Sequence, residues 1–145
     1  MRVNKPFATV KHKNELDELL LIHPVLLGAL SQVFLWCHEY EVPCVITSMV
    51  RTPSENVAVG AVSQTHTTGR AVDLSVRGWS ADQVESFVNW ANMFFQDIAA
   101  VNRRGEPRFA VYHVGTAPHL HLQIHRKYEL LYDWPAVAMN RQYNR

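Results

Sequence analysis

Two short stretches of the chain alternate between apolar and polar positions with a period of two. In Ala71-Val72-Asp73-Leu74-Ser75-Val76, the side chains of Val72, Leu74 and Val76 share one face, and Ala71, Asp73 and Ser75 share the other. From His119 to His125 the alternation is cleaner. His119, His121, Gln123 and His125 fall on one face, and Leu120, Leu122 and Ile124 on the opposite one. The pattern predicts two strands with apolar undersides and upper faces that carry an Asp and several His. Cys44-Val45-Ile46-Thr47-Ser48, after Pro43, reads as a buried strand, and Arg108 to Val114 as a further one. Gly115-Thr116-Ala117-Pro118 would join the latter to the His119 strand as a hairpin.

A helical period takes over elsewhere. Leu26, Leu30, Val33, Phe34 and Cys37 recur at that spacing from Pro24, which suits a first helical turn, to about Tyr40. His38 and Glu39 are expected in solvent. Val84, Phe87, Val88, Ala91, Phe94, Phe95 and Ile98 mark a long amphipathic helix, and Ser80 with Gln83 is a capping-box signal for its start. A short helix carrying Leu16, Leu19 and Leu20 is expected behind Asn14, and another in the tail, where Pro135 disfavours it. Residues 54–65 read as a small, polar loop that delivers His66, and Asn102 to Pro107 as a turn. The fold class is α+β: a small antiparallel sheet carries the site, and helices cover its other face.

A length of 145 residues predicts one domain, 1–145, with room for a core. Hydrophobic residues at 48% and charged residues at 19% are ordinary for a globular protein. The net charge of +1 argues against nonspecific nucleic-acid binding, so Arg103 and Arg104 read as a solvated turn tip. No apolar run is long enough for membrane insertion, and Met1 to Lys5 lead into no signal core. Synthesis in the cytoplasm without a signal peptide is the expectation. Cys37 and Cys44 are spaced neither as a metal knuckle nor as a disulfide framework, which predicts free thiols without a catalytic part.

The chemistry gathers at His66-Thr67-Thr68-Gly69-Arg70-Ala71-Val72-Asp73, which reads H-x-x-G-x-A-x-D, and at His119-Leu120-His121. One carboxylate and imidazoles converging on a point are a ligand set for a borderline metal, zinc first. For any single His, a satisfied polar face is the simpler reading. Gly69 is expected to supply a turn that other residues would strain. Arg51, in Thr47-Ser48-Met49-Val50-Arg51-Thr52-Pro53, is either a surface charge at a strand end or a guanidinium near the metal. In the second case it grips a substrate carboxylate or carbonyl with paired planar donors.

H-x-x-G-x-A-x-D followed by H-x-H, with the Thr47 to Pro53 segment upstream, resembles the LAS-type zinc D-Ala-D-Ala metallopeptidase family. That family comprises peptidoglycan carboxypeptidases, phage L-alanyl-D-glutamate endolysins and murein endopeptidases, and the hedgehog signalling domain shares its fold. The resemblance spans residues 45–125. It implies zinc held by His66, Asp73 and His121, a water completing the site, and hydrolysis of a peptide bond in peptidoglycan stem peptides by that activated water. It also strengthens the reading of Arg51 as a substrate-gripping group. The chain departs from the family twice. The usual Ser two residues before the first His is Gln64 here, with Ser63 one further back. The usual Glu or Asp three residues before the last His is Pro118, so His119 becomes the candidate base. Residues two apart on a strand lie about 6.6 to 6.8 Å apart, and zinc–nitrogen bonds are about 2.0 to 2.1 Å. His119 is therefore expected to handle a proton rather than to ligate, and His113 is either an auxiliary donor facing the cleft or a structural His. Size and the lack of an export signal suit a monomeric, phage-type endolysin that reaches the cell wall after release. Loops 52–65 and 103–108 are expected to select the bond. The alternative is a hedgehog-like, zinc-containing binding module without peptidase activity.

Overall fold

The structure, a computed structural model, describes residues 8–11, 17–115 and 117–137. The expected cap at Asn14 and the end of the tail lie outside the described residues. Asp17–Leu20 form one turn of 3-10 helix, and residues 134–137 form a helical turn. The elements are β1 (Thr9–Val10), α1 (Pro24–Glu39), β2 (Val45–Ser48), α2 (Pro53–Ala58), β3 (Ala71–Ser75), α3 (Ala81–Phe94), β4 (Ala110–His113) and β5 (His119–Gln123). One five-stranded sheet has the order β1-β2-β3-β5-β4. The pairs β2–β3, β3–β5 and β4–β5 are antiparallel, as the alternating faces lead one to expect. At the edge β1 joins β2 in parallel. Its two residues are too few to alternate, and the Thr9 and Lys11 N–H groups are anchored on the Cys44 and Ile46 carbonyls, each at 2.8 Å.

The apolar undersides behave as the period-two pattern requires. Ile46, Val72, Leu74, Leu120 and Leu122 are buried, and α1 and α3 cover them with Leu26, Leu30, Val33, Phe87 and Ala91. Burying a side chain of this size is worth roughly 1.5 to 3 kcal/mol, so this layer anchors the sheet. α1 begins at Pro24 and takes its cap from His23, whose Nδ1 accepts the Val25 N–H at 3.0 Å. α3 starts with both arms of the Ser80–Gln83 capping box in place. It ends at Phe94, before Ile98. The chain leaves the helix there because the Ile98 carbonyl accepts the His125 N–H at 2.8 Å and Ala99 bridges Ile124. Cys37 and Cys44 are buried free thiols. Their mutual hydrogen bond, with burial, pushes the Cys44 pKa well above the ordinary thiol range. No described helix is long and apolar enough to cross a membrane.

Residues 54–65 are not all loop. Thr52-Pro53-Ser54-Glu55 opens α2 with a complete capping box and proline at the first helical position. The signal is present in the sequence; a one-and-a-half-turn helix with a single buried residue, Asn56, offers no apolar period beside it. Between β2 and β3 the register slips, Ile46 facing Leu74 and Ser48 facing Asp73. Such a bulge bends the strand and re-aims the residues beyond it. Past it, Met49 and Val50 are buried and the Arg51 N–H reaches the His66 carbonyl at 3.2 Å.

Gly69 ends the turn His66–Thr68 at φ 69°. Its carbonyl accepts the His23 N–H at 2.9 Å, and a Cβ at this position would run into the Tyr132 hydroxyl. Gly69→Ala should therefore cost more than the roughly 1 to 2 kcal/mol of a left-handed non-glycine residue. Urea unfolding in a Tyr132→Phe background should show a smaller penalty for the same change. An equal penalty in both backgrounds would mean that the tyrosine hydroxyl exerts no steric constraint.

Candidate metal centre

Strand register brings the predicted residues together. Asp73 on β3 stands opposite His121 on β5, and Ser75 stands opposite His119. On the other side of β5, Val111 faces His121 and His113 faces His119. Directly paired residues point to the same side of a sheet, so Asp73, His113, His119 and His121 share the face turned away from the helices. His66 enters from the short turn before β3. One ligand atom each from His66, Asp73 and His121 lies within 4.8 Å of the others, and all three residues are buried. His66 Nε2 is 3.2 Å and His121 Nδ1 2.9 Å from the same oxygen, Asp73 Oδ1.

The groups behind these atoms decide how they are charged. His66 Nδ1 is hydrogen-bonded to the Met49 carbonyl. A carbonyl only accepts, so the Nδ1 proton stays there and Nε2 presents a lone pair when the ring is neutral. Burial pushes the His66 pKa below its ordinary value, against the opposing pull of Asp73. Burial also acts to raise the Asp73 pKa, but hydrogen bonds from His121 and His66 outweigh it and hold the carboxyl well below the usual carboxylate range. The 3.2 Å contact between His66 Nε2 and Asp73 Oδ1 is bridged either by a proton on the ring or, with the ring neutral, by a metal ion that both atoms bind. On His121, Nε2 lies 3.2 Å from Thr65 Oγ1, which leaves Nδ1 toward Asp73. Asp73 Oδ2 is taken by Arg51 Nη2 at 3.0 Å. Two imidazole nitrogens and one carboxylate oxygen, each with its far atom held by a polar partner, fit zinc in donor set and in outer shell.

The remaining candidates separate clearly. His119 donates its Nδ1–H to the Ala117 carbonyl at 3.0 Å, so its Nε2 carries the lone pair, 3.9 Å from Asp73 Oδ1. Its side chain is 33% exposed against 11% for His121, which places it at the mouth of the site. The His113 ring stacks on His119 with centroids 5.1 Å apart. Burial first, then the nearby His121 and His119, lower the His113 pKa. Arg51 is 18% exposed and faces Asp73 as well as the cleft, so it is not a solvated strand-end charge. His125 leaves the polar face: β5 has ended, and its ring caps the 3-10 turn Arg126–Tyr128 by accepting the Lys127 N–H at 3.0 Å. Arg70 is buried against Thr68 and the Ile124 carbonyl, away from Asp73. Sequence reading missed Thr65. Its hydroxyl lies 3.2 Å from both His121 Nε2 and Ser63 Oγ, and the Gln64 amide oxygen accepts the Thr67 hydroxyl at 2.7 Å.

Two hollows meet at the centre and share Arg51, Val59, Asp73, His113 and His119 in their walls. One, of about 580 Å³, runs along Val59 to Ser63 toward Val111 and Gln123. The other, of about 1180 Å³, runs past His119 toward Trp79 and Tyr112. The segment 59–63 therefore borders the cleft as expected, whereas residues 103–108 line neither hollow.

No curated protein and no solved structure matches the chain. The profile of the family Peptidase M15 matches residues 8–104, a stretch that includes Arg51, His66 and Asp73 and stops before the β4–β5 hairpin. The match covers more than half of the sequence, and the hairpin beyond it adds His121 to the group His66, Asp73 and His121 that could hold a metal ion. The chain belongs to the Peptidase M15 family, zinc peptidases that act on peptidoglycan peptides.

Proposed function

We propose that this protein is an endolysin-type endopeptidase that cuts within peptidoglycan stem peptides, with zinc held by His66, Asp73 and His121. The observation that carries this reading is the meeting of His66 Nε2 and His121 Nδ1 on Asp73 Oδ1, behind which Met49, Thr65 and Arg51 hold every outer atom. The choice of endopeptidase over carboxypeptidase rests on the hollows, which extend to both sides of the centre. A peptide can therefore lie across the site with residues on either side of the scissile bond.

A zinc ion here would supply Lewis acidity, drawing the pKa of a coordinated water from about 15.7 toward 7 and polarising a carbonyl. The chain's own residues do the rest. Arg51 holds Asp73 Oδ2, which keeps Oδ1 toward the rings, and its fork borders both hollows, where a peptide carbonyl or carboxylate comes within reach. His119 keeps Nδ1–H on Ala117, so its Nε2 is the atom that accepts a proton at the site and passes it to the leaving amine. His113, stacked on it, limits the swing of that ring.

Digestion of purified peptidoglycan, with mass analysis of the fragments, tests the reading. Cleavage of an internal stem-peptide bond, abolished by a chelator and restored by zinc, is expected. Release of terminal D-Ala alone would make the protein a carboxypeptidase. Tight zinc without cleavage would favour the binding module.

Three variants divide the roles. His66→Ala and His121→Ala should each lose zinc by elemental analysis, whereas His119→Ala should keep it and lose about 10²- to 10⁴-fold in activity. If His119→Ala also loses zinc, it is a ligand; if it keeps full activity, the proton is handled elsewhere. Arg51→Lys retains the charge but not the planar fork. It should keep zinc and fold and lose activity by roughly 10- to 100-fold, the usual scale for outer-shell partners. Wild-type turnover in this variant would remove Arg51 from the mechanism.

A further inference from the structure

The larger hollow has a charge that the proposed chemistry leaves unused. Its lining includes Lys11, Arg51 and Arg77, and Asp73 is its one carboxylate. Asp73 is already bound by Arg51 and the imidazoles. Neither Lys11 nor Arg77 is in an ion pair among the described residues. The smaller hollow has Arg51 as its one Lys or Arg, and its far wall is Ala61, Val62, Val111 and Gln123. The whole chain carries only +1. The two sides of the centre therefore differ by a local concentration of positive charge, and such a cleft focuses its field on an anionic ligand.

The cations are carried on fixed backbone. Lys11 follows β1, and its N–H is held by the Ile46 carbonyl at 2.8 Å. Arg77 follows β3, and its N–H is held by Ser75 Oγ at 3.1 Å. A rigid apolar wall lines the same hollow. Trp79 donates its indole N–H to the Pro43 carbonyl at 2.8 Å and packs on Trp36 and Phe87, with centroids 5.8 and 5.5 Å away. Tyr112, 40% exposed on β4, adds to that wall.

We propose that this arm is a subsite for a substrate carboxylate, gripped by Lys11 and Arg77 beside the Trp79 wall. The peptide then lies in one direction only, its anionic residue toward Arg77 and its uncharged residues toward the Gly60 to Ser63 segment. The proposal rests on the peptidase reading of the same cleft and adds the charge and polarity of its substrate. The carboxylate comes either from the peptide's own C terminus or from a side chain, and both offer the same oxygens to a guanidinium and an ammonium.

The test uses a soluble stem peptide in three forms: fully acidic, amidated at the C terminus, and amidated at the side-chain carboxylate. Calorimetry on the zinc-loaded full chain reads affinity, and mass analysis of the same samples reads cleavage. For the wild type, one of the two amidations should weaken binding about tenfold, the scale of one charged hydrogen bond, and should raise KM with little change in kcat. The form that weakens identifies the source of the carboxylate. A Lys11→Gln/Arg77→Gln double variant should bind all three forms alike, with the affinity the wild type has for the weakened form. Equal wild-type affinity for the three forms, or discrimination kept in the double variant, would overturn the subsite. Carboxylate-dependent binding without cleavage would instead overturn the peptidase reading and leave the subsite standing.

Discussion

Everything near the centre of this molecule is arranged around one oxygen, Asp73 Oδ1. Two imidazole nitrogens approach it, at 3.2 and 2.9 Å, in a buried place where neither ring nor carboxylate can be left to water. Protons on the rings or a metal ion among the three atoms hold them together, and the structure around them fixes their places. The β3–β5 register sets His121 opposite Asp73. The left-handed turn at Gly69 brings His66 back over the start of β3. The β2 bulge and the buried Met49–Val50 step place a carbonyl behind His66 and a guanidinium behind Asp73. A shift of one residue in the β3–β5 pairing would send His121 to the apolar face and Leu120 or Leu122 to the polar one.

Much of this is legible in the residues alone. The two alternating segments specify the faces of β3 and β5, and Ser80 with Gln83 marks the start of α3, because each signal lies within a few residues of the feature it specifies. The features that escape depend on contacts between distant segments. Nothing near His125 announces that β5 stops at Gln123. It stops because the His125 N–H is claimed by Ile98 and its ring by a 3-10 turn. β1 is defined by its partner strand rather than by its own two residues. Thr65 matters through a ring on β5, far along the chain. α2 differs from these: Thr52-Pro53-Ser54-Glu55 is a local signal, and it is easily overlooked because the helix buries too little to show a period.

The family match and the structure contribute different parts of the site. The match covers the segment with Arg51, His66 and Asp73. The hairpin that carries His113, His119 and His121 lies beyond it, and its place in the site rests on strand pairing and on side-chain geometry. The same hairpin sets His119 at the mouth of the centre, its Nε2 3.9 Å from Asp73 Oδ1.

The proposed metal ligands are His66, Asp73 and His121, and no other side chain. X-ray absorption at the zinc edge of the purified protein tests this assignment most directly. Two imidazole nitrogens at about 2.0 to 2.1 Å, with the rest of the shell oxygen, are expected. A sulfur scatterer near 2.3 Å, which Cys37 or Cys44 would supply, or a third imidazole from His119, would contradict it.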